Sequence, residues 1–429
     1  MPRSTSSRSG GPAAFAAGLV LLQLTAAAAA IRVPAGGDAL SVALSAAPPG
    51  EVLVLAPGVH RGPVRIDRTV TLVGEPGAII DGGGAGSTVT ISAPEVVLRG
   101  LVIRNSGADL AAQDSGVTVD AEGDGAVIEN NRILDNLMGV SLRGPEKAVV
   151  RGNLIEGRRY RRMNDRGDDV WIWNSPGSIV ENNDIRWGRD GIFVTTSRDN
   201  LFRGNRFRGL RYAVHYMYTN DSRLEGNLSL GNSMGFGLMF STGLEVTGNL
   251  SEGDAQRGIL LNYVNGSVIS GNVVRGGAEK CVFIYNSNKN TFASNWFEGC
   301  DIGIHFTAGS ERNGIYGNAF VDNREQVKYV GTRDLEWSRD GRGNYWSDYL
   351  GFDLDRDGIG DRPYRPNDLV DQIFWRYPLA KLLFNSPALH LLRWAQREFP
   401  GLHPGGVTDS FPLMRPPAIP VPRPADALS

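Results

Sequence analysis

Asparagine recurs along the middle of the chain in one local setting, usually after glycine and before an apolar pair, at Asn131, Asn153, Asn183, Asn205, Asn227, Asn249, Asn272, Asn295 and Asn318. The intervals are 22, 30, 22, 22, 22, 23, 23 and 23 residues. Eight or nine residues after each asparagine stands a small residue followed by alternating apolar positions, as in Gly191-Ile192-Phe193-Val194 and Gly303-Ile304-His305-Phe306. A fixed period with short alternating runs and no helix-length pattern means stacked coils, none of which can bury its apolar face alone. About 22 residues at roughly 3.3 Å each make a loop of some 70 Å, enough for three short strands and three turns. The expected fold is therefore all-β: a right-handed parallel β-helix with a small helical C-terminal cap. The repeated asparagines are expected in turns, stacked as a ladder of amide hydrogen bonds. Val70–Ile80 and Val89–Ile103 alternate in the same way and read as first coils. The coils then run from about Val52 to Val330, within a domain of residues 31–338. The 30-residue interval leaves a surplus of eight residues, most simply the basic segment Arg158–Met163, either a solvated loop or a partner contact.

The first 30 residues carry Arg3 and Arg8, an apolar run from Ala13 to Leu24 and an alanine tract ending at Ala30, the layout of a secretory signal peptide. No later stretch offers about 18 uninterrupted apolar residues, so the mature chain is expected to be soluble outside the cytoplasm. The formal charge of -2, or -4 without the two leader arginines, gives no support to nucleic-acid binding. In an oxidising compartment Cys281 and Cys300, the only two cysteines, form either one disulfide or a soft-metal pair.

Alternation assigns an inside and an outside to each coil. Pairs such as Ile192 and Val194, or Phe236 and Leu238, point inward. The outward wall then reads Trp171, Phe193, His215, Gly237, Leu260, Phe283 and His305 in one column, and Trp173, Thr195, Met217, Met239, Asn262, Tyr285 and Thr307 in the next. A solvated wall would be Thr, Ser, Lys and Asp. Apolar surface of this extent marks either an interaction site, with Trp171, Trp173, Phe193, Phe283, Tyr285 and His305 at its centre, or a face covered by the apolar C-terminal segment. Met217 and Met239 fall on adjacent rungs about 4.8 Å apart, with His215 about 6.6 Å along the strand from Met217. Two thioethers and an imidazole are a soft ligand set suited to Cu(I), and Met234 stands near enough in sequence to add a fourth donor. The competing reading is plain packing.

Solenoids of this kind often cleave or bind polysaccharides, which requires paired carboxylates or a basic residue near acids that hold calcium. Asp168 and Asp169 resemble the paired aspartates of polygalacturonases, but neighbours on one strand face opposite sides and no Gly-His-Gly or Arg-Ile-Lys accompanies them. Asp190 and Asp301 are expected in turns without a basic partner. An enzyme or carbohydrate-binding module is thus the alternative, and a non-catalytic accessory protein the main reading.

Residues 339–411 read as a separate C-terminal module, followed by a proline-rich tail over 412–429. In it Asp353, Asp355 and Asp357 alternate before Gly358, and Asp361 follows, matching the first half of an EF-hand loop without its glutamate at position 12: a calcium site or a simple acidic turn. Leu369–Phe399, with Phe374 and Trp375, either packs across the open end of the solenoid or docks on a membrane partner.

The runs HYMYTNDS from His215, GILLNY from Gly258, GCDIGIHFTAGSERN from Gly299 and GNYWSDYLGFDLDRDGIGDRPY from Gly343 resemble the NosD family of periplasmic maturation proteins of nitrous-oxide reductase, over most of the mature chain. The resemblance implies a β-helix seated on an ABC transporter at the inner membrane, delivering copper to the reductase, with a copper-donor lipoprotein as second partner.

Overall fold

The computed structural model describes residues 30–159, 162–307, 309–331, 333–367, 369–383, 386–399 and 406–420. The expected leader up to residue 29, the end of the proline-rich tail, and Tyr160 and Arg161 of the basic segment lie outside the described residues.

Each coil gives one strand to each of three parallel sheets, of 13, 12 and 13 strands, so the chain is a parallel β-solenoid as the period requires. The first sheet begins at Ile31–Val33, in register with Leu53–Leu55, and the third takes Tyr345–Trp346 as its last strand. Inside, aliphatic and aromatic side chains such as Leu53, Ile80, Val194, Phe236, Phe292 and Phe320 are fully buried in one continuous core.

The asparagine ladder holds the coils in register. Oδ1 of Asn227 accepts from the backbone nitrogen and from Nδ2 of Asn205, both at 3.0 Å, while its own Nδ2 donates to the Phe202 carbonyl at 2.9 Å and to Asn249 at 3.0 Å. The pattern repeats from Asn131 to Asn318 and continues one rung further to Asn344. Buried turn amides that would otherwise lack partners are thereby satisfied in the coils from Asn131 to Asn344.

The small residue that opens each wall strand has a steric cause. A Cβ on Gly191 would lie 2.5 Å from both the Phe207 ring and the Ala213 carbonyl oxygen, so this position faces the core corner, and Ile192 after it is also buried. Two successive inward positions break the alternation. The residue before the small one is therefore turned onto the outer wall, which adds a column of Asp190, Tyr212, Met234, Arg257 and Lys280, joined by register.

The N-terminal end is covered by helix Ala39–Ala46, which buries Leu40 and Leu44. At the C-terminal end Trp346 stacks on Phe320 at 4.4 Å and Trp337 lies beside it, both fully buried. Val407–Thr408 returns to pair with Leu335–Glu336. Helix Leu369–Arg376 buries Val370 and Phe374, and Asn367 Nδ2 donates to the Val327 carbonyl of the last wall strand at 2.8 Å. Helix Pro387–Glu398 follows, with Leu391 and Trp394 exposed.

Candidate functional site

The outer wall is built by strands Val170–Trp173, Asp190–Thr195, Tyr212–Met217, Met234–Thr242, Arg257–Asn265, Lys280–Tyr285 and Ile302–Thr307. Cα pairing runs from Trp171 through Phe193, His215, Gly237, Leu260 and Phe283 to His305, and from Trp173 through Thr195, Met217, Met239 and Asn262 to Tyr285. Trp173 and Tyr285 are 46% and 42% exposed, so the described residues of the C-terminal segment do not cover these two side chains.

Met217 and Met239 are direct register partners, and His215 stands two residues before Met217 on the same face. All three side chains are half-buried. The His215 ring stacks on Tyr212 at 4.5 Å and 19° and meets Phe193 edge-on at 5.0 Å. Gly237 makes room for this, because a Cβ there would come within 2.6 Å of the Tyr212 ring. Met234 is not brought beside the other donors: it stands about 16 Å from Met239 along the strand. Its sulfur accepts from Arg257 Nη1 at 3.8 Å.

Asp190, expected in a turn without a basic partner, is instead fully buried and bonded to two. Arg211 binds it through Nε at 2.8 Å and Nη2 at 2.6 Å, and His215 Nδ1 reaches Oδ2 at 2.9 Å. Burial works to raise the Asp190 pKa, but these hydrogen bonds outweigh it and hold the carboxylate below its usual range. The signal was present in the sequence as Arg189 and Arg211, 22 residues apart, each 21 residues after an aspartate. Asp168 is clasped by Arg189 at 3.0 and 2.8 Å, and burial together with the neighbouring Asp190 charge raises its pKa to about 6. Asp169 occupies the small-residue column itself, where burial pushes its pKa well up. Both are fully buried, so neither reaches a substrate from the wall.

His305 differs from His215. Burial and then the charges of Lys328 and Lys280 lower its pKa to about 4, and its buried Nδ1 has no hydrogen-bond partner. Cys281 sits in the core-facing column and is joined to Cys300 as a disulfide, so no free thiol is left for a soft metal among the described residues. Carboxylate oxygens of Asp353, Asp355 and Asp357 lie within 4.8 Å of one another, hard donors of the kind calcium takes. Asp361 stands apart and accepts from the Leu354 amide at 2.8 Å. Phe374, expected to face a partner, is buried in the chain itself, on a helix whose contacts include the following C-terminal helical segments; the Trp375 side chain lies outside the description.

An aromatic column escaped the sequence reading. Tyr218, Phe240 and Tyr263 follow the Met217 column by one residue, each in the left-handed backbone region with φ of 52°, 50° and 55°. Their rings stack at 5.0 and 5.2 Å along the rim of the wall. Their spacing of 22 and 23 residues was the available signal.

The family described as periplasmic copper-binding protein (NosD) matches residues 151–351. A protein of Stutzerimonas stutzeri named probable ABC transporter binding protein NosD is 43% identical over 375 residues, covering 84% of this chain and 86% of that protein. A protein of the same name from Pseudomonas aeruginosa is 44% identical over 383 residues, covering 86% and 89%. Among solved structures, the A-module of mannuronan C-5 epimerase AlgE6 from Azotobacter vinelandii is similar with a TM-score of 0.51 at 15% identity, covering 68% of this chain and 91% of that one. A family 28 exopolygalacturonase from Yersinia enterocolitica scores 0.52 at 12% identity, covering 71% and 78%. Identity this low conveys the solenoid alone, since function resides in sites grafted on folds. Extended identity above 40% over most of the chain conveys more: the chain belongs to the NosD family.

Proposed function

We propose that this protein is a periplasmic accessory factor that takes up copper as Cu(I) on its outer wall and passes it on for assembly of the copper centres of nitrous-oxide reductase. The observation that carries the reading is that His215 stands two residues before Met217 on the same face of the wall, with Met239 the register partner of Met217, in a chain whose family is described as copper-binding. Thioether and neutral imidazole donors suit Cu(I) and disfavour hard ions. Three donors on an open sheet form an exchangeable site, as a relay requires, whereas a closed cage of four would retain the ion. The wall around them, from Trp171 and Trp173 to Phe283 and Tyr285, offers the apolar surface on which a copper-donor lipoprotein and the reductase dock in turn.

Docking on an ABC transporter falls to the C-terminal helices, where Leu382, Leu391 and Trp394 are 86%, 63% and 53% exposed. The relatives' name, ABC transporter binding protein, supports this. Calcium, bound by Asp353, Asp355 and Asp357, would fix the loop that leads to this segment.

The test is a Cu(I) competition titration of the mature protein beside a His215→Ala, Met217→Ala, Met239→Ala variant, with ascorbate as reductant. One-to-one binding that the variant loses establishes the relay site. No binding by the wild type reduces the protein to a scaffold for its partners and sinks the relay.

A further inference from the structure

We infer that Asp190 is the positioning residue of the soft-metal site: it fixes His215 as the Nδ1–H tautomer and so presents a bare Nε2 beside the Met217 and Met239 thioethers, while Arg211 takes up its charge. This rests on the copper reading of the wall.

The tautomer follows from the hydrogen-bond inventory. An ionised carboxylate only accepts, so the proton between His215 Nδ1 and Asp190 Oδ2, 2.9 Å apart, belongs to the imidazole. With Nδ1 protonated, the lone pair of the neutral ring is on Nε2. A histidine that ligates metal commonly donates its other ring N–H to a carboxylate, which sets both tautomer and ring angle. Tyr212 and Phe193 fix the same ring plane from either side, at 4.5 and 5.0 Å. Asp190 is itself immobilised: its side chain is fully buried, its backbone nitrogen donates to Asp168 Oδ1 at 3.2 Å, and Arg211 occupies both of its oxygens.

The arrangement exceeds what folding needs. Arg211 alone would satisfy the buried carboxylate, and the column neighbours of His215 are Phe193 and Gly237, which need no such partner. His305 provides the internal contrast, for it lies in the same column with no carboxylate on Nδ1 and with Lys280 and Lys328 nearby. Only His215 of the two is prepared to ligate. Charge decides which ion it prefers. Arg211 pairs with the Asp190 carboxylate, so the wall offers an imidazole Nε2 and two thioethers, a donor set that favours a soft monovalent cation over Zn(II).

The experiment is ring ¹⁵N–¹H correlation NMR on the metal-free full chain, followed by Cu(I) competition titration of wild type and Asp190→Asn with thermal unfolding as the check on folding. The expected result is a protonated Nδ1 and bare Nε2 for His215 in the wild type. Asp190→Asn should lose this single tautomer and bind Cu(I) about 10- to 100-fold more weakly. Cu(I) binding with an Nε2–H tautomer in the wild type, or unchanged Cu(I) binding by a folded Asp190→Asn, overturns the positioning role alone. No Cu(I) binding by the wild type overturns the copper reading, and this role with it. The wild-type ring measurement decides the matter even where Asp190→Asn fails to fold.

Discussion

The backbone nitrogen of Asn344 donates to Oδ2 of Asp409 at 2.7 Å, and its side-chain amide reaches the same oxygen at 3.3 Å. A carboxylate 65 residues further along thus stands where the next asparagine of the ladder would be. Trp346 Nε1 donates to the same atom at 2.8 Å. Asp409→Ala should leave these donors without an acceptor in a closed end and cost about 2–4 kcal/mol, read as a lower denaturant midpoint. A midpoint unchanged within error would show that the solenoid end opens to water.

Burial raises the Asp409 pKa to about 6. The folded state therefore keeps a proton that the unfolded chain releases near pH 4, so protonation stabilises the fold. The residue's contribution is largest below about pH 4, falls as pH rises through about 6, and is flat above. Relative to Asp409→Asn, the wild type should gain up to ~3 kcal/mol between pH 7 and pH 4. Asp168, also raised to about 6, adds a slope of the same sign that is common to both proteins. Parallel melting curves across that window would contradict the assignment.

Met217→Leu with Met239→Leu keeps side-chain volume, so stability should change by less than about 1.5 kcal/mol. Cu(I) affinity should drop at least about tenfold, because two of three soft donors are gone. His305→Ala should bind Cu(I) as the wild type does. Loss of binding in His305→Ala would move the site four rungs along the wall.

Leu382→Ser, Leu391→Ser and Trp394→Ser alter exposed positions and should shift stability by no more than about 0.5 kcal/mol each while weakening co-purification with transporter-containing membranes. Phe374→Ala, by contrast, empties a buried position and should cost about 3–5 kcal/mol. Undiminished co-purification of the triple serine variant would remove these helices from the docking surface.

Calcium added to chelator-treated protein should raise the melting temperature, and Asp353→Asn with Asp357→Asn should abolish the rise, since binding to the folded state alone stabilises it. A calcium response retained by that double variant would place the ion elsewhere.

What could be read before folding was whatever repeats. Asn227 needs only its 22-residue offset from Asn205 to be placed in a ladder, and Met217 with Met239 needs only the same offset to be placed on adjacent rungs. Period and alternation are local properties, and a solenoid converts them directly into register. Asp190 was misplaced because alternation fails at Gly191, where a core corner tolerates no side chain and the preceding residue turns outward. Chain distance suggests that Met234 lies close to Met239, whereas the two stand five residues apart along one extended strand, about 16 Å.

The sequence by itself determined the coil, its period, the inward and outward columns and the family, because each depends on residues within one repeat or on runs of identity. Only the tertiary structure decided which neighbours those columns acquire: Asp190 and Arg211 under His215, the stacked Tyr218, Phe240 and Tyr263, and Asp409 on the last asparagine. The first two depend on backbone angles at a corner, and the third on where a long return segment comes to rest. For the first two the periodic pattern gives the spacing but not the contacts, which follow from side chains competing for space in the assembled coils.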